Sequence, residues 1–251
     1  MLVSLALLVG MLVVSAVGIR LGKRVHAGEG VAKEGTSTVE AAVFALLGLL
    51  LAFTFSGATQ RLEVRRQLIV EEVNAVGTAW LRLAVLPEAT QSPLRDAFRR
   101  YVDARLEGYR SLADEATAVA AFARAEQLRG EIWAGTVAAA KGPGTADGTL
   151  QLMLPPLNEM FDVVTKRAMA LRTHPPQIIY WMLVVLAWTS ALFAGYSLGA
   201  CGSRKRLHIV TFAVAVALTV YVTMDIEHPR RGFVRVDDFD QAMIAMRESM
   251  K

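Results

Sequence analysis

The residues with the most obvious chemistry are few and scattered. Gly195-Tyr196-Ser197-Leu198-Gly199 has the Gly-x-Ser-x-Gly spacing that presents a serine nucleophile on a strand-turn-helix elbow. Asp225 and His228 follow in the order an α/β hydrolase uses. That elbow needs alternating strands and helices around it, and here the pattern closes a long apolar run instead. Ala191, Gly195 and Gly199 recur every four residues, the small-residue spacing that lets membrane helices approach closely. Helix packing is therefore their expected role, no catalytic residue is expected, and the chain reads as a non-enzyme. The four histidines (His26, His174, His208, His228) show no i, i+4 partner of ligand type, so neither a metal site nor a cofactor is expected. A lone Cys201 excludes a disulfide framework and a thiolate-bound cluster. Glu71-Glu72 reads as a solvated helix face, and Asp237-Asp238-Asp240 as a helix start or, alternatively, a weak seat for calcium.

The elements that must position these residues are set by hydropathy. The chain has 251 residues, 54% of them hydrophobic, with 27 basic and 23 acidic side chains and a net charge of +4. The apolar residues concentrate in four blocks, each long enough to cross a bilayer core. Such a distribution excludes a soluble globular enzyme, a disordered chain and a coiled-coil rod, and the small basic surplus does not suggest a nucleic-acid partner. The blocks are Met1 to Ile19, Ala41 to Gln60, the stretch from Pro175 to Ser203, and Leu207 to Met224. Unpaired peptide groups cost several kcal/mol in hydrocarbon, so these blocks must be helices. The first block lacks a basic leader and a small-x-small cleavage site, which favours a span over a signal peptide. Ser37 and Glu40 have capping-box spacing ahead of the second block.

Between the second and third blocks, residues 58–174 carry 15 basic and 14 acidic side chains in an Ala-, Leu-, Arg- and Glu-rich composition that favours helix. One long helix is expected to continue from the second block to about Leu86, where Pro87 ends it. Further helices are expected from Ser92-Pro93 to Tyr109, from Ser111 to Ala140, and from Leu157 to Arg172. The Gly142-Pro143-Gly144 to Gly148 breaker cluster lies between the last two. The fold class is accordingly all-α: an integral membrane protein with four transmembrane helices and a helical extramembrane domain. Its parts are 1–57 (spans one and two), 58–174 (the helical domain), 175–224 (spans three and four) and 225–251. The last is a polar tail with a short amphipathic helix bearing Phe239, Met243 and Met246 on one face. Short-loop charges (Arg20, Lys23, Arg24, Lys33, Arg204, Lys205, Arg206) favour cytoplasmic loops and an external domain, opposed by Arg61, Arg65, Arg66, Lys166, Arg167, Arg172, Arg230, Arg231 and Arg235. The spans contain no interior Asp, Glu, Lys or Arg apart from Glu40 at a boundary, which argues against a proton pump but not against a pore gated by dewetting.

The second span reads Leu46-Leu47-Gly48-Leu49-Leu50-Leu51-Ala52-Phe53, then Ala58, Arg61 and Arg66. This resembles the second helix of the bestrophin channels: a Gly-Leu-Leu-Leu-x-Phe run, Ala five residues after the Phe, Arg eight after it, and a basic cluster one turn beyond. The order of parts is similar as well. A bacterial bestrophin-like membrane family is more similar still, through Glu72-Val-Asn-Ala-Val-Gly-Thr-Ala-Trp-Leu-Arg82 and Asp225-x-x-x-Pro229-x-x-Gly232.

The resemblance implies a homo-oligomer, a pentamer by analogy, that conducts ions passively across the plasma (inner) membrane. Its central pore would have a neck at Ala45, Leu49 and Phe53, which share one helix face. Arg61, Arg65 and Arg66 would line a vestibule and bias it toward an anion, with Glu63 opposing. The implied partners are other copies of the chain, the lipid bilayer and the permeant ion. The family topology also keeps the large domain cytoplasmic. Two departures stand out: Leu62-Glu63 replaces the family's tryptophan pair, and Ala45 is small for a neck residue. The alternative function is a non-conducting membrane scaffold or sensor whose helical domain binds a partner.

Overall fold

In the computed structural model, the described residues are 2–25, 33–112, 114–200, 206–228, 233–234 and 237–250. Among them the chain forms helices only: α1 (Leu2–Val25), α2 (Lys33–Arg82), a short 3-10 turn (Leu83–Val85), α3 (Glu88–Arg110), α4 (Glu115–Ala140), α5 (Thr149–Arg172), α6 (Gln177–Ala200), α7 (Arg206–Glu227) and α8 (Asp237–Ser249). Four of these helical stretches are long and apolar enough to cross a membrane. The residues divide into two compact units, 1–62 with 174–233 and 63–173 with 234–251.

The first unit contains the spans. Its core gathers Leu7 and Met11 from α1, Leu47 from α2, Leu183, Ala187 and Ala191 from α6, and Ala213, Val216 and Val220 from α7. α1 and α6 pack backbone to backbone. A Cβ at Gly18 or Gly22 would collide with the carbonyl oxygens of Leu192 or Tyr196, and one at Gly195 or Gly199 with those of Ser15 or Ile19. Lipid offers no hydrophobic drive for helix association, so this reciprocal glycine contact supplies it through van der Waals packing.

The second unit has a conventional large-residue core in which Phe98, Leu83, Ile132, Met153, Leu157 and Met160 are fully buried. α8 closes it with Met243 and Met250, while Arg99 Nε donates to the Met250 carbonyl at 2.9 Å. Arg247 forks onto Asp103 at 2.7 and 2.9 Å.

Several helix starts differ from those expected. α2 begins at Lys33, which puts Ser37 inside the helix rather than at a capping box, and Glu40 instead accepts a hydrogen bond from Ser197. α3 opens at Glu88, with Pro93 inside it. The reason is local: the Thr90 hydroxyl donates to the Pro87 carbonyl at 2.7 Å and Gln91 Nε2 to the Leu86 carbonyl at 2.8 Å, which ties the entering chain to the first turn. α4 starts at Glu115 rather than Ser111, because the Asp114 carboxylate caps the Thr117 N–H while Ser111 ends α3 through the Glu107 carbonyl. α5 starts at Thr149 and runs through Pro155 and Pro156. A proline at 156 cannot donate to the Leu152 carbonyl, and Arg82 Nη1 satisfies that oxygen at 2.6 Å.

Candidate functional site

The apolar stretch of α2 is bare within the protomer. Ala45 is exposed, Leu49 is 52% exposed and Phe53 is 65% exposed, and all three share a face. Only Leu47, Thr54 and Ala58 of this stretch are buried, and Phe44 meets Phe212 edge-on at 5.3 Å. In its most apolar window 11% of the helix is buried, against 28% for α1 and 39% for α7. A helix so lightly packed must be covered by lipid, by water or by other copies of the chain.

One end of this stretch carries charge. Arg61 donates through Nε at 2.8 Å, and through Nη2, to one oxygen of Glu227, which is 1% exposed. His174 Nδ1 lies 3.6 Å from the other Glu227 oxygen, and its ring stacks on His228 at 5.4 Å. Folding thus brings two histidines and a glutamate together from segments that are far apart in sequence. Among the described residues, no group of three or more side chains forms a metal-binding set. Asp225, the first residue of the downstream motif, accepts the Phe233 N–H at 2.9 Å. Pro229, Arg230, Arg231, Gly232, Arg235, His26, Cys201, Arg204 and Lys205 lie outside the described residues, as do the side chains of Lys33, Arg206, Asp237, Asp238, Phe239 and Asp240.

The three basic residues of the expected vestibule have unlike surroundings. Arg61 is ion-paired. Arg65 is 6% exposed and donates to the carbonyls of Ala170 and Thr173 at 3.2 and 3.0 Å, a cation set against the end of α5. Arg66, with 31% of its side chain exposed, sits 3.9 Å from Glu63. Ala191, Gly195 and Gly199 are buried on the face of α6 that meets α1. The Gly-x-Ser-x-Gly pattern occupies uninterrupted helix, and the Ser197 hydroxyl donates to Glu40. Asp225 and His228 are engaged elsewhere, so no nucleophile elbow exists.

A second polar cluster lies in the other unit and corrects the expectation for Glu72. This residue is 0% exposed rather than part of a solvated face. Its carboxylate accepts Arg105 Nε at 2.8 Å, a hydrogen bond from Arg167 Nη1, and the Tyr109 hydroxyl at 3.3 Å. The guanidinium of Arg167 also lies over the Tyr109 ring at 3.7 Å. Burial, reinforced by the Glu72 charge, pushes the Tyr109 phenol above its ordinary range. Burial alone would lower the Arg105 pKa, but Glu72 outweighs it and raises it. The cluster therefore stays charged at any physiological pH and is built to hold α2, α3 and α5 together.

The sequence could have pointed to Glu72. Leu68, Ile69, Ala75, Val76 and Ala79 lie one or two turns from it and are all buried, so helical periodicity places Glu72 in the apolar stripe and Glu71 outside it. Arg105 carries the same signal, with Phe98, Tyr101, Val102 and Tyr109 buried one or two turns away, as does Arg167 beside Met160 and Val163; that the three meet has no local signal.

Fold and site together define an all-helical integral membrane protein with four spans and a helical extramembrane domain. Three solved structures share this fold. A bacterial bestrophin homologue from Klebsiella pneumoniae, crystallised as a single-substitution variant, is 16% identical, with a TM-score of 0.68 over 96% of this chain and 98% of that one. Two structures described as a membrane protein, also substitution variants, are 15% and 14% identical. Their TM-scores are 0.66 and 0.69, over 98% and 97% of this chain and 98% of each of theirs. No curated protein matches. The family model of the bestrophin-like domain matches residues 5–239, and the chain belongs to the bestrophin-like family.

Proposed function

We propose that this protein is a passive ion channel, a homo-oligomer whose second helices surround a central pore with its neck at Ala45, Leu49 and Phe53. The observation that carries the proposal is the bare apolar face of α2 in a protomer whose other spans are better packed. Cyclic assembly around that face would present one ring of each residue, and rings of Leu49 and Phe53 form a constriction that gates by dewetting. Membership of the bestrophin-like family supports the same reading.

A pentamer is the proposed assembly and the plasma (inner) membrane the proposed location. Anion preference is the finer part of the proposal. Of the three cations Arg61, Arg65 and Arg66, Arg61 pairs with Glu227 and Arg66 lies 3.9 Å from Glu63. Arg65 is buried and Arg61 holds the closer carboxylate, so Arg66, with 31% of its side chain exposed, is the residue assigned to act on the ion.

The test is single-channel recording of purified protein in a planar bilayer. Ohmic unitary steps are expected, larger in Phe53→Ala, with a reversal potential in a chloride gradient that moves toward cation selectivity in Arg66→Glu. Absence of current from a protein that remains folded and oligomeric would favour the scaffold or sensor instead.

A further inference from the structure

Four side chains of the first unit meet at the end of the apolar stretch of α2: Arg61 of α2, His174 ahead of α6, Glu227 at the end of α7, and His228 just after it. A Cβ at Gly57 would stand 3.2 Å from Arg61 Nη1, so the guanidinium lies back along α2, toward Phe53. Gly57 follows Phe53 by one helical turn, about 6 Å along the axis, which is within the screening length of about 8 Å at physiological ionic strength. A net charge there acts on an ion at the neck.

Glu227 masks that charge. It is 1% exposed, so its own charge is balanced by what it touches. One oxygen accepts the fork of Arg61. His174 Nδ1 stands 3.6 Å from the other, too far for a hydrogen bond but close enough for an ion pair once the ring is charged. An imidazole is the side chain that ordinarily changes charge between about pH 5 and 8. Of the two stacked rings, His174 is the one that faces Glu227. His228 Nδ1 is 3.0 Å from the Met224 carbonyl, which can only accept, so that nitrogen carries its hydrogen. A second cation on His228 would lie 5.4 Å from the first and repel it. Tyr180 of α6 also lies within electrostatic reach of Glu227 and Arg61, while Arg230 and Arg231 lie outside the described residues.

We propose that His174 is a proton sensor that sets ion selectivity through Glu227 and Arg61. Neutral, it leaves the carboxylate to Arg61. Protonated, it gives Glu227 a second cationic partner and adds one positive charge per subunit beside the neck, which strengthens the preference for anions. This role rests on the channel reading of the protein.

Two measurements on the full-length protein test this, one with current and one without. In planar bilayers under a KCl gradient, the reversal potential should move toward the chloride equilibrium value as both sides go from about pH 8 to about pH 6. His174→Gln should lose most of that shift. His228→Phe, which keeps a stacked ring that cannot titrate, should retain it. Glu227→Gln should lie nearer the chloride value already at the higher pH, because Arg61 is then unmasked. Without current, magic-angle-spinning spectra of protein labelled with nitrogen-15 arginine report the Arg61 side chain, assigned by loss of its signal in Arg61→Lys. Its Nε resonance should move between the two pH values in the wild type and stay in place in His174→Gln. His174 has 42% of its side chain exposed, so its replacement leaves the packing intact, and helix content and elution volume check every variant. An Arg61 signal that does not move, or that moves equally in His174→Gln, would overturn the proposal. So would a selectivity independent of pH, or a shift that survives in His174→Gln. The expected movement of the signal in a folded oligomer that passes no current would instead overturn the channel reading, and with it the role in selectivity, while upholding the proton-linked contact.

Discussion

The two units of this molecule are held by opposite means. In the first, α1 and α6 meet through glycines, backbone against backbone, and α2 is left largely bare. In the second, aromatic and long aliphatic side chains fill the core, and three charged residues are buried within it. The difference follows from the solvent each must exclude. Where hydrocarbon surrounds the helices, apolar side chains gain nothing by leaving lipid, so shape complementarity decides which helices touch. Where water surrounds them, burial of apolar area drives folding, and buried ions are tolerated only if mutually satisfied. One unit thus has a complete core of its own, while in the other α2 presents an apolar face that the protomer leaves bare.

The largest effect should come from breaking the ion network. In Glu72→Ala, Arg105 and Arg167 keep their charges in the core without their shared anion, and about 3–5 kcal/mol of stability should be lost. Thermal unfolding in detergent would register this as a strongly lowered midpoint. Replacing the three together, Glu72→Leu with Arg105→Met and Arg167→Met, should recover most of the loss, since the cluster then holds no charge to leave unpaired. Equal instability of the single and triple variants would mean that packing volume, not charge, holds this region.

Next in size is the glycine contact. Gly195→Leu drives a side chain into the Ser15 backbone of α1 and should cost about 1–3 kcal/mol, as overpacking does. Limited proteolysis should show α1 released while the helical unit stays protected. The smallest effect belongs to the exposed Arg247–Asp103 pair: Arg247→Ala should cost about 0.2–1 kcal/mol, less at high salt. A loss as large as that of Glu72→Ala would show α8 to be essential to the core rather than a lid on it.

How far the sequence revealed these features depends on the range of the interaction. The four spans were legible because an uncharged block of about 20 residues has few other uses. The continuation of α2 beyond the apolar block was legible because Arg61 to Glu72 follows it without proline or glycine and no proline comes before Pro87. Helix starts were less so. Pro93 suggested a boundary yet sits inside α3, and the helix expected from Leu157 starts at Thr149 and runs through Pro155 and Pro156, helped by Arg82, which arrives from 70 residues away to satisfy Leu152. The pairings of Glu72 with Arg105 and Arg167, and of Glu227 with Arg61 and His174, are long-range and leave no local pattern. Ala45, Leu49 and Phe53 rest on a resemblance, since leucine-rich faces are ordinary in membrane helices.

The central claim is that Phe53 borders water inside an assembly, and thiol accessibility under voltage tests it most directly. Phe53→Cys, made on a Cys201→Ser background and recorded in a planar bilayer, should lose its current when a charged, membrane-impermeant thiol reagent is added. The Cys201→Ser background alone should be unaffected. A current that the reagent leaves unchanged, or no current from either protein, would place Phe53 against lipid or protein and contradict the account.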